Sequence, residues 1–327
     1  MRYLWLPTQS PYFNLAAEEY LLKQTNDDIF MLWQNANSII IGKHQNTVAE
    51  INQEYVQSHH ITVARRITGG GAVFHDLGNL NFTFIQNIQS QDKEVNFVRY
   101  LQPIVDALKD LGLPATFSGR NDILLDGKKI SGNAMAFHEN RVLEHGCMLF
   151  STLHNDLVNA LNVDPEKFAD KAVKSVRSRV TNISEHLATP MTVLEFKDYL
   201  MNCIKRQDPT AIIEQLSDRE IAVIQQLEKE KYSTWEWNFG QSPRYSINRK
   251  VRTQGGSIQA MMNVKNGRIQ ELQFFGDFFS TKDPTELAAR LVGLPHEQAI
   301  IQETLNDLPV EQYFSNATKE ELLGLLV

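Results

Sequence analysis

The chain is poor in cysteine and in long apolar runs. Cys147 and Cys203 are its only cysteines among 327 residues, which excludes a disulfide framework, and no Cys/His spacing fits a zinc site. So few thiols predict a protein of the reducing cytoplasm. No run approaches the roughly 20 apolar residues that a membrane span needs, and the N-terminal segment lacks the apolar core of a signal peptide. The sequence therefore predicts a soluble protein that is not exported.

An excess of positive charge is missing as well. The 32 basic residues are outnumbered by 39 acidic residues, giving a net charge of −7. This balance predicts no general attraction to nucleic acid, although a local basic patch remains compatible with it. Apolar residues make up 42% and charged residues 22% of the chain, as in an ordinary globular protein. The length suits one large domain or two domains of unequal size.

Hydrophobic periodicity and turn signals predict an α+β fold with a mixed or mostly antiparallel sheet. Asn14 is the predicted N-cap of a first helix. The predicted helices cover 15–25, 47–58, 94–111, 193–206 and 218–231, the last two opened by capping boxes. The predicted strands cover 29–33, 38–42, 61–66, 80–85, an antiparallel meander over 123–150, and a hairpin at 257–264 and 268–275 around Asn266-Gly267. The segment 235–246 is interpreted as a linker, which gives domains 1–246 and 247–327.

Three consecutive glycines follow two arginines in 65-RRITGGGAVFHDLGN-79. Glycine lets backbone N–H groups approach a ligand closely, and successive N–H groups can bind an anion. Arg65 and Arg66 would add a permanent positive charge suited to a phosphate or an activated carboxylate. The alternative is a tight turn with solvated arginines, and the glycines alone favour neither interpretation. The spacing matches neither a Walker loop nor a dinucleotide fingerprint.

A lysine pair leads a predicted strand in 119-GRNDILLDGKKISGNA-134. Alternation along that strand gives the Lys129 side chain a defined face. In that position its ammonium could stabilise the charge on an acyl-phosphate oxygen. The alternative is a turn lysine that faces the solvent.

A basic segment without acidic residues, 171-KAVKSVRSRV-180, stands out in an acidic chain. Its cations are Lys171, Lys174, Arg177 and Arg179. The functional interpretation is a loop that closes over phosphates. The alternative is a solvated basic face.

In this order the three stretches resemble the lipoate–protein ligase A family. The resemblance lies in RRxxGGGxVFHDxGN, then GRND…KKISGNA…HG, then KxVxSVRSRVTN, and it extends over essentially the whole chain. The segment WEWNFGQSP followed by a small domain is similar to the two-domain bacterial form. The resemblance implies a biotin/lipoate ligase-like mixed sheet with flanking helices, shared with biotin protein ligases and octanoyltransferases. It also implies a small α+β C-terminal accessory domain.

The activity that the resemblance implies has two steps. Lipoate and Mg-ATP give lipoyl-AMP and pyrophosphate. The lipoyl group then passes to a lysine of a lipoyl domain, carried by the E2 subunit of a 2-oxoacid dehydrogenase or by the glycine-cleavage H protein. The implied cofactors are ATP and Mg²⁺, and the expected enzyme is a cytoplasmic monomer that binds neither nucleic acid nor membrane. The sequence does not indicate whether octanoate is accepted beside lipoate.

The resemblance also implies the site residues. Lys129 is expected to be catalytic and to bind both the lipoyl carboxylate and the α-phosphate, while Asp122 contacts Mg²⁺ or the ribose. The 171–180 segment corresponds to the adenylate-binding loop of the family. His75 fits the motif but is equally compatible with a structural histidine. The expected contacts of ATP or lipoyl-adenylate are Arg66, Thr68, Gly69, Gly70, Gly71, Ala72, Val73, Phe74, Asn79, Asp122, Lys129, Ser131, Gly132, Ala134, His145, Lys171, Ser175, Arg177 and Arg179.

Two other functions remain as alternatives. The first is an ATP-independent octanoyl or lipoyl transferase with Cys147 as the nucleophile, since this cysteine follows His145-Gly146. A cysteine within a strand is more often a small buried apolar residue, and reactivity needs an exposed electropositive setting. The second is a non-catalytic adenylate-binding module. The presence of Lys129 and of every glycine in the motif argues against it.

Overall fold

A mixed eight-stranded sheet forms the centre of the protein. The computed structural model describes residues 1–89, 94–118, 121–153, 159–161, 180–206, 212–240, 247–265 and 267–327. In this sheet the strands follow the order β11-β1-β2-β6-β10-β9-β8-β7. They are β1 Arg2–Leu6, β2 Ile29–Trp33, β6 Asn79–Asn87, β7 Ala115–Ser118, β8 Asp122–Leu125, β9 Lys128–His138, β10 Arg141–Leu149 and β11 Ile213–Glu214. The pairs β1–β2 and β1–β11 are parallel, and the other pairs are antiparallel.

Two three-stranded sheets complete the β-structure. The first has the order β4-β3-β5, and the second, near the C-terminus, has the order β12-β13-β14. Their strands are β3 Ser38–Ile41, β4 Thr62–Arg65, β5 Val73–His75, β12 Ile247–Thr253, β13 Gly256–Lys265 and β14 Arg268–Gly276. These sheets and the helices that cover them confirm the α+β class.

Helices cover both faces of the large sheet. The helices on the large sheet and on the smaller sheets are, in chain order, Pro11–Gln24, Thr47–Glu50, Gln53–Ser58, Phe97–Asp110, Val193–Lys205, Asp218–Leu227, Trp235–Asn238, Pro284–Leu291, Gln298–Asn306, Val310–Tyr313 and Lys319–Leu326, with a 3₁₀ turn at Ile183–His186 and a π-helical segment at Glu228–Tyr232. The last four of these helices pack against the C-terminal sheet. Strand β2 shows why both faces need cover. Phe30 and Leu32 pack with helix Phe97–Asp110, whereas Met31 and Trp33 pack with helix Pro11–Gln24. Among the described residues, no helix has the length and apolar character to cross a membrane.

Several local predictions differ from the structure. The first helix begins at Pro11 with Ser10 as its N-cap, so the prediction of Asn14 as the cap was wrong. Asn14 is instead buried in the helix, where its amide donates to Asn35 Oδ1. The helix predicted over 47–58 is broken into two short helices. Strand β12 was not predicted at all, and part of the expected linker forms the helix Trp235–Asn238.

The C-terminal sheet and its helices enclose an apolar cluster of their own, yet they also contact the glycine loop. Phe279 belongs to the core of the large sheet, with its ring centroid 5.1 Å from that of Phe97. The Gly276 backbone N–H donates to the His44 carbonyl at 2.8 Å. Lys43 Nζ lies 2.8 Å from Asp283 Oδ2. The two parts therefore pack directly against each other beside the loop.

Glu19 links the first helix to the π-helical segment. Its carboxylate accepts from Lys23 at 2.7 Å, and from Lys231 and Tyr232 at 2.6 Å. Burial alone would raise the pKa of Glu19, but these three donors lower it from 4.5 to about 2. Ionised Glu19 therefore stabilises the fold above pH 4.5, and this contribution is lost as the pH falls towards 2.

We expect Glu19→Gln to lower the free energy of unfolding at pH 7 by about 2–3 kcal/mol. Urea denaturation at several pH values measures this difference. The deficit should shrink as the pH falls below 4.5, because the carboxyl group of the unfolded wild-type chain then takes up a proton while the native carboxylate stays ionised down to about pH 2. Glu303→Gln, at an exposed position, is the matched control. A deficit that stays constant down to acid pH would contradict this role of the charge.

Candidate active site

A cavity of about 600 Å³ lies between the large sheet and the small sheet β4-β3-β5. Its floor is a row of residues in register across the large sheet, one from each of five adjacent strands. The row runs Trp33, Asn81, Cys147, Gly132, Asp122. Because neighbouring strands are about 4.8 Å apart, the row is about 19 Å long. The cavity is therefore an elongated slot that crosses the strands.

The two ends of the slot differ in exposure. Trp33 is 2% exposed and Asn81 is 1% exposed. The side chains of Lys129 and Asp122 are 37% and 33% exposed and form an ion pair of 2.8 Å. The slot is therefore closed at the Trp33 end and open at the end that carries the charges.

Lys129 is positioned by an irregularity in strand pairing. The register between β8 and β9 shifts at Ile123/Leu124, next to the pairing of Leu124 with Lys129. A Cβ on Gly132 would lie 2.8 Å from Lys129 Nζ, so the ammonium rests directly over this glycine and a side chain there would displace it. The Lys129 carbonyl accepts from the Thr181 N–H at 3.1 Å. Thr181, the residue that follows the basic segment 171–180, is therefore hydrogen-bonded to the backbone of Lys129.

The glycine loop is held by Arg66 from below. The Arg66 guanidinium donates to the carbonyls of Gly69 and Gly71 at 2.7 and 2.8 Å, and to the Ile40 carbonyl at 3.0 Å. Gly70 has φ +89°, a conformation that strains other residues. With three carbonyls bound, Arg66 fixes the shape of the loop that forms one wall of the cavity.

Neither arginine of the motif is solvated, so that alternative was wrong. Arg65 is 0% exposed and Arg66 is 4% exposed. Arg65 donates to backbone carbonyls, among them those of Gly42 at 3.0 Å and Gln45 at 2.7 Å, and to Thr47 Oγ1 at 2.7 Å. Burial lowers the pKa of each arginine to about 10, which leaves both charged at neutral pH.

A chain of buried hydrogen bonds continues from Arg66. Its Nε donates to Thr68 Oγ1 at 2.9 Å, and Thr68 Oγ1 lies 2.8 Å from His145 Nε2. His145 Nδ1 lies 2.8 Å from Glu18 Oε1, which also accepts from Thr83 Oγ1 at 2.6 Å. These contacts favour the tautomer with hydrogen on His145 Nδ1. The glycine loop is thereby connected to the first helix.

The thiol of Cys147 lies in the middle of the floor. Burial raises its pKa far above the ordinary value, and the nearby Asp76 raises it further, whereas Lys129 acts in the opposite direction. At neutral pH the sulfur is therefore a protonated thiol. An activated cysteine nucleophile needs an electropositive setting that lowers the pKa of its thiol, and the pKa of the Cys147 thiol is shifted in the opposite direction.

The C-terminal part also lines the cavity. Asp277 and Arg252 lie at its wall with charged atoms 3.5 Å apart. The Gly70 N–H donates to the Phe278 carbonyl at 3.3 Å. A Cβ on Gly69 would lie 2.5 Å from that oxygen, so the close approach requires glycine. One of the three glycines is thus explained by packing rather than by a ligand.

Two protein-family models match the sequence. The lipoyl protein ligase A/B catalytic domain matches residues 10–205, and the bacterial lipoate protein ligase C-terminus matches residues 242–326. The lipoate-protein ligase LplJ of Bacillus subtilis (strain 168) is 42% identical over 97% of this chain and 96% of that protein. Lipoate–protein ligase 1 of Staphylococcus aureus (strain Mu50) is 42% identical over the same shares. The chain belongs to the lipoate–protein ligase family.

Solved structures of this family resemble the fold. The crystal structure of P. falciparum LipL1 in complex with lipoate has a TM-score of 0.81 and 26% identity, covering 99% of this chain and 97% of that chain. A bipartite lipoate protein ligase from Thermoplasma acidophilum, studied with its E2 lipoyl domain, has a TM-score of 0.67 and 31% identity, covering 75% and 98%. A lipoate-protein ligase A bound with ATP has a TM-score of 0.63 and 28% identity, covering 73% and 98%.

Most of the residues that the ligase resemblance assigned to the site line the cavity. They are Arg66, Gly70, Gly71, Ala72, Val73, Phe74, Asp122, Lys129, Gly132, Ala134 and His145. Thr68 accepts a hydrogen bond from Arg66, and Gly69 packs against the Phe278 carbonyl; neither of them lines the cavity. Asn79 accepts from the Asp76 N–H at 2.8 Å, and Ser131 donates to Asn133 at 3.1 Å. Lys171, Ser175, Arg177 and Arg179 lie outside the described residues.

Sequence reasoning missed Trp33, Asn81, Asn121, Asn133, Arg252 and Asp277 as lining residues. For Asn81 a signal was present, since Asn79, Asn81 and Thr83 alternate with the apolar residues Leu80, Phe82 and Phe84. Asp122 was predicted to contact a metal. Within the described ranges, no group of three or more His, Cys, Asp or Glu side chains could hold a metal ion.

The Thr68 hydroxyl connects Arg66 to His145, and a valine at this position would remove the hydroxyl while keeping the volume of the side chain. We expect Thr68→Val to lower the free energy of unfolding by about 2 kcal/mol, because Arg66 Nε and His145 Nε2 lose a buried partner. Urea denaturation is the measurement. Thr68→Ser keeps the hydroxyl and should retain most of the stability. Equal losses in the two variants would show that the methyl group matters and not the hydrogen bonds.

Proposed function

We propose that the protein is an ATP-dependent lipoate–protein ligase. It activates free lipoate with Mg-ATP to lipoyl-AMP and then transfers the lipoyl group to a lysine of a lipoyl domain. The observation that carries this proposal is the slot with a largely apolar lining, closed at the Trp33 end, and with Lys129 and Asp122 at its open end. The family relationship and the relatives bound with lipoate or with ATP support it.

In the first step a lipoate carboxylate oxygen attacks the α-phosphorus of ATP. A new C–O–P linkage forms, and the bond to the pyrophosphate oxygen breaks. The Lys129 ammonium, at the open end of the slot, stabilises the negative charge shared by the carboxylate and the α-phosphate oxygens. The backbone at Gly71 and Ala72 lines the same cavity and is held in shape through Arg66.

Mg²⁺ fits the open end of the slot as part of Mg-ATP. It is usually held by one or two carboxylates together with substrate phosphates and water, so a full set of protein ligands is not required. Asp122 supplies one partly exposed carboxylate beside Lys129. When bound, the ion neutralises phosphate charge. We propose Asp122 as its protein ligand.

In the second step the amine of the acceptor lysine attacks the acyl carbon of lipoyl-AMP. An amide forms, AMP leaves, and the amine gives up a proton. The acceptors that we propose are lipoyl domains of E2 subunits or the glycine-cleavage H protein. The archaeal relative studied with its E2 lipoyl domain supports the first class. We propose a catalytic part, 1–246, and an accessory part, 247–327; the existence of two separate family matches, over 10–205 and 242–326, supports a division into two parts.

The alternative is an ATP-independent acyltransferase that uses Cys147. The raised pKa of the Cys147 thiol disfavours this function. Mass spectrometry of a lipoyl domain separates the two possibilities. A mass gain that requires free lipoate and Mg-ATP, with release of AMP, supports the ligase. Transfer from an octanoyl thioester without ATP would establish the acyltransferase instead.

The neighbouring lysines Lys129 and Lys128 provide a matched test of the first step. We expect Lys129→Ala to lower lipoate-dependent pyrophosphate release at least 100-fold, as the loss of a charge that stabilises the transition state does. Lys128 is exposed and lies outside the cavity lining, so Lys128→Ala should retain most of the wild-type rate. Circular dichroism is the check that both variants are folded. Wild-type rates in folded Lys129→Ala would refute the role of Lys129.

A further inference from the structure

The closed end of the slot contains polar atoms that the fold itself does not use. Asn81 is 1% exposed, and neither its Nδ2 nor its Oδ1 has a hydrogen-bond partner in the part of the chain that the structure describes. Burying an amide without partners costs about 1–3 kcal/mol. Native proteins rarely accept this cost without a reason. Asn81 faces the cavity, so the reason is to be sought in what the cavity binds.

His75 provides a second unused donor beside it. The hydrogen position follows from its neighbours. Asn14 Nδ2 donates to Asn35 Oδ1 at 2.9 Å, so Asn35 presents its Nδ2 to His75 Nδ1 at 3.0 Å. His75 Nδ1 therefore accepts, and the ring hydrogen is on Nε2. Burial lowers the pKa of His75 to about 3, which keeps the ring neutral. Nε2 has no partner among the described residues.

Both side chains lie around Trp33 at the closed end. Trp33 is the cross-strand neighbour of Asn81, and its ring centroid is 6.2 Å from that of His75. The Trp33 indole N–H is already bound to Thr83 Oγ1 at 2.9 Å. Among the cavity-lining residues that the structure describes, the unused donors at this end of the slot are therefore those of Asn81 and His75.

The length of the slot indicates which part of a substrate reaches them. Lys129 Nζ lies over Gly132. Two strand spacings, about 10 Å, separate Gly132 from Asn81. An eight-carbon acid spans this distance when its carboxylate is at Lys129 and its chain is extended. The two donors therefore meet the far end of the chain. In lipoate that end carries the two sulfurs of the ring, and in octanoate it is only hydrocarbon.

We propose that Asn81 and His75 form a polar subsite that binds the ring end of the acyl substrate and selects a 1,2-dithiolane over an unsubstituted alkyl chain. This inference rests on the proposed function. The Asn81 and His75 N–H groups donate to ring sulfurs, which are weak acceptors. An alkyl chain leaves both donors unpaired in a dry pocket, and such sites reject the analogue that lacks the partner. Because sulfur accepts weakly, we expect discrimination of about tenfold.

The test compares free lipoate with free octanoate in wild-type protein and in Asn81→Leu. Leucine has a similar volume to asparagine but lacks the amide. We expect the ratio of kcat/KM for lipoate over octanoate, measured by pyrophosphate release, to fall about tenfold in Asn81→Leu. Leu15→Met, an apolar change in the wall of the same cavity, is the matched control and should leave the ratio within about twofold.

A second readout separates recognition from chemistry. Calorimetric titration of each acid without ATP should show the same loss of preference in the dissociation constants. Asn81→Ala, which removes the amide without filling the site, should change the ratio in the same direction. An unchanged ratio in both folded Asn81 variants would overturn the inference and assign the amide to an ordered water. Wild-type protein that neither binds nor activates either acid would instead overturn the proposed function.

Discussion

The active-site cavity depends on one continuous chain of buried hydrogen bonds. It begins at the Trp33 indole, passes through Thr83 to Glu18, and returns through His145 and Thr68 to Arg66. Arg66 in turn holds the carbonyls of the glycine loop. The chain joins the closed end of the slot to the wall beside the open end. Such networks are stabilising only when every member has its partner, so a change at one member affects the whole cavity.

The buried arginines explain how an acidic protein can hold an anionic nucleotide. Arg65 and Arg66 lie under the loop, and the hydrogen bonds of Arg65 go to uncharged oxygens. Their charge is therefore poorly neutralised and acts at short range through a medium of low dielectric constant. The net charge of −7 determines the electrostatic potential far from the protein, but it does not determine the local potential around these two arginines. For this reason the composition predicted no general attraction to nucleic acid without excluding a nucleotide as a substrate.

Local sequence signals predicted the features that depend on local geometry. The capping boxes at Thr192 and Ser217 placed two helix starts that the structure confirms. Period-two alternation predicted a defined face for Lys129, but its position over Gly132 depends on the register shift at Ile123/Leu124. The error at Asn14 was avoidable, because Pro11 at the first helical position after Ser10 is itself a start signal. Strand β12 was also visible as alternation in INRKVRT, whose basic residues are typical of an edge strand.

The rest depended on contacts between distant parts of the chain. Glu18 and His145 are 127 positions apart, and Arg65 is bound by the Trp237 carbonyl 172 positions away. No local pattern specifies such pairs, since they follow from sheet order and register. The Phe278 carbonyl at the glycine loop is a further case, because it comes from the C-terminal part. The three glycines therefore meet three different requirements. Gly69 makes room for the C-terminal backbone, Gly70 adopts a left-handed conformation, and Gly71 faces the cavity. The glycine loop and the C-terminal backbone at Phe278 are therefore in direct contact beside the cavity.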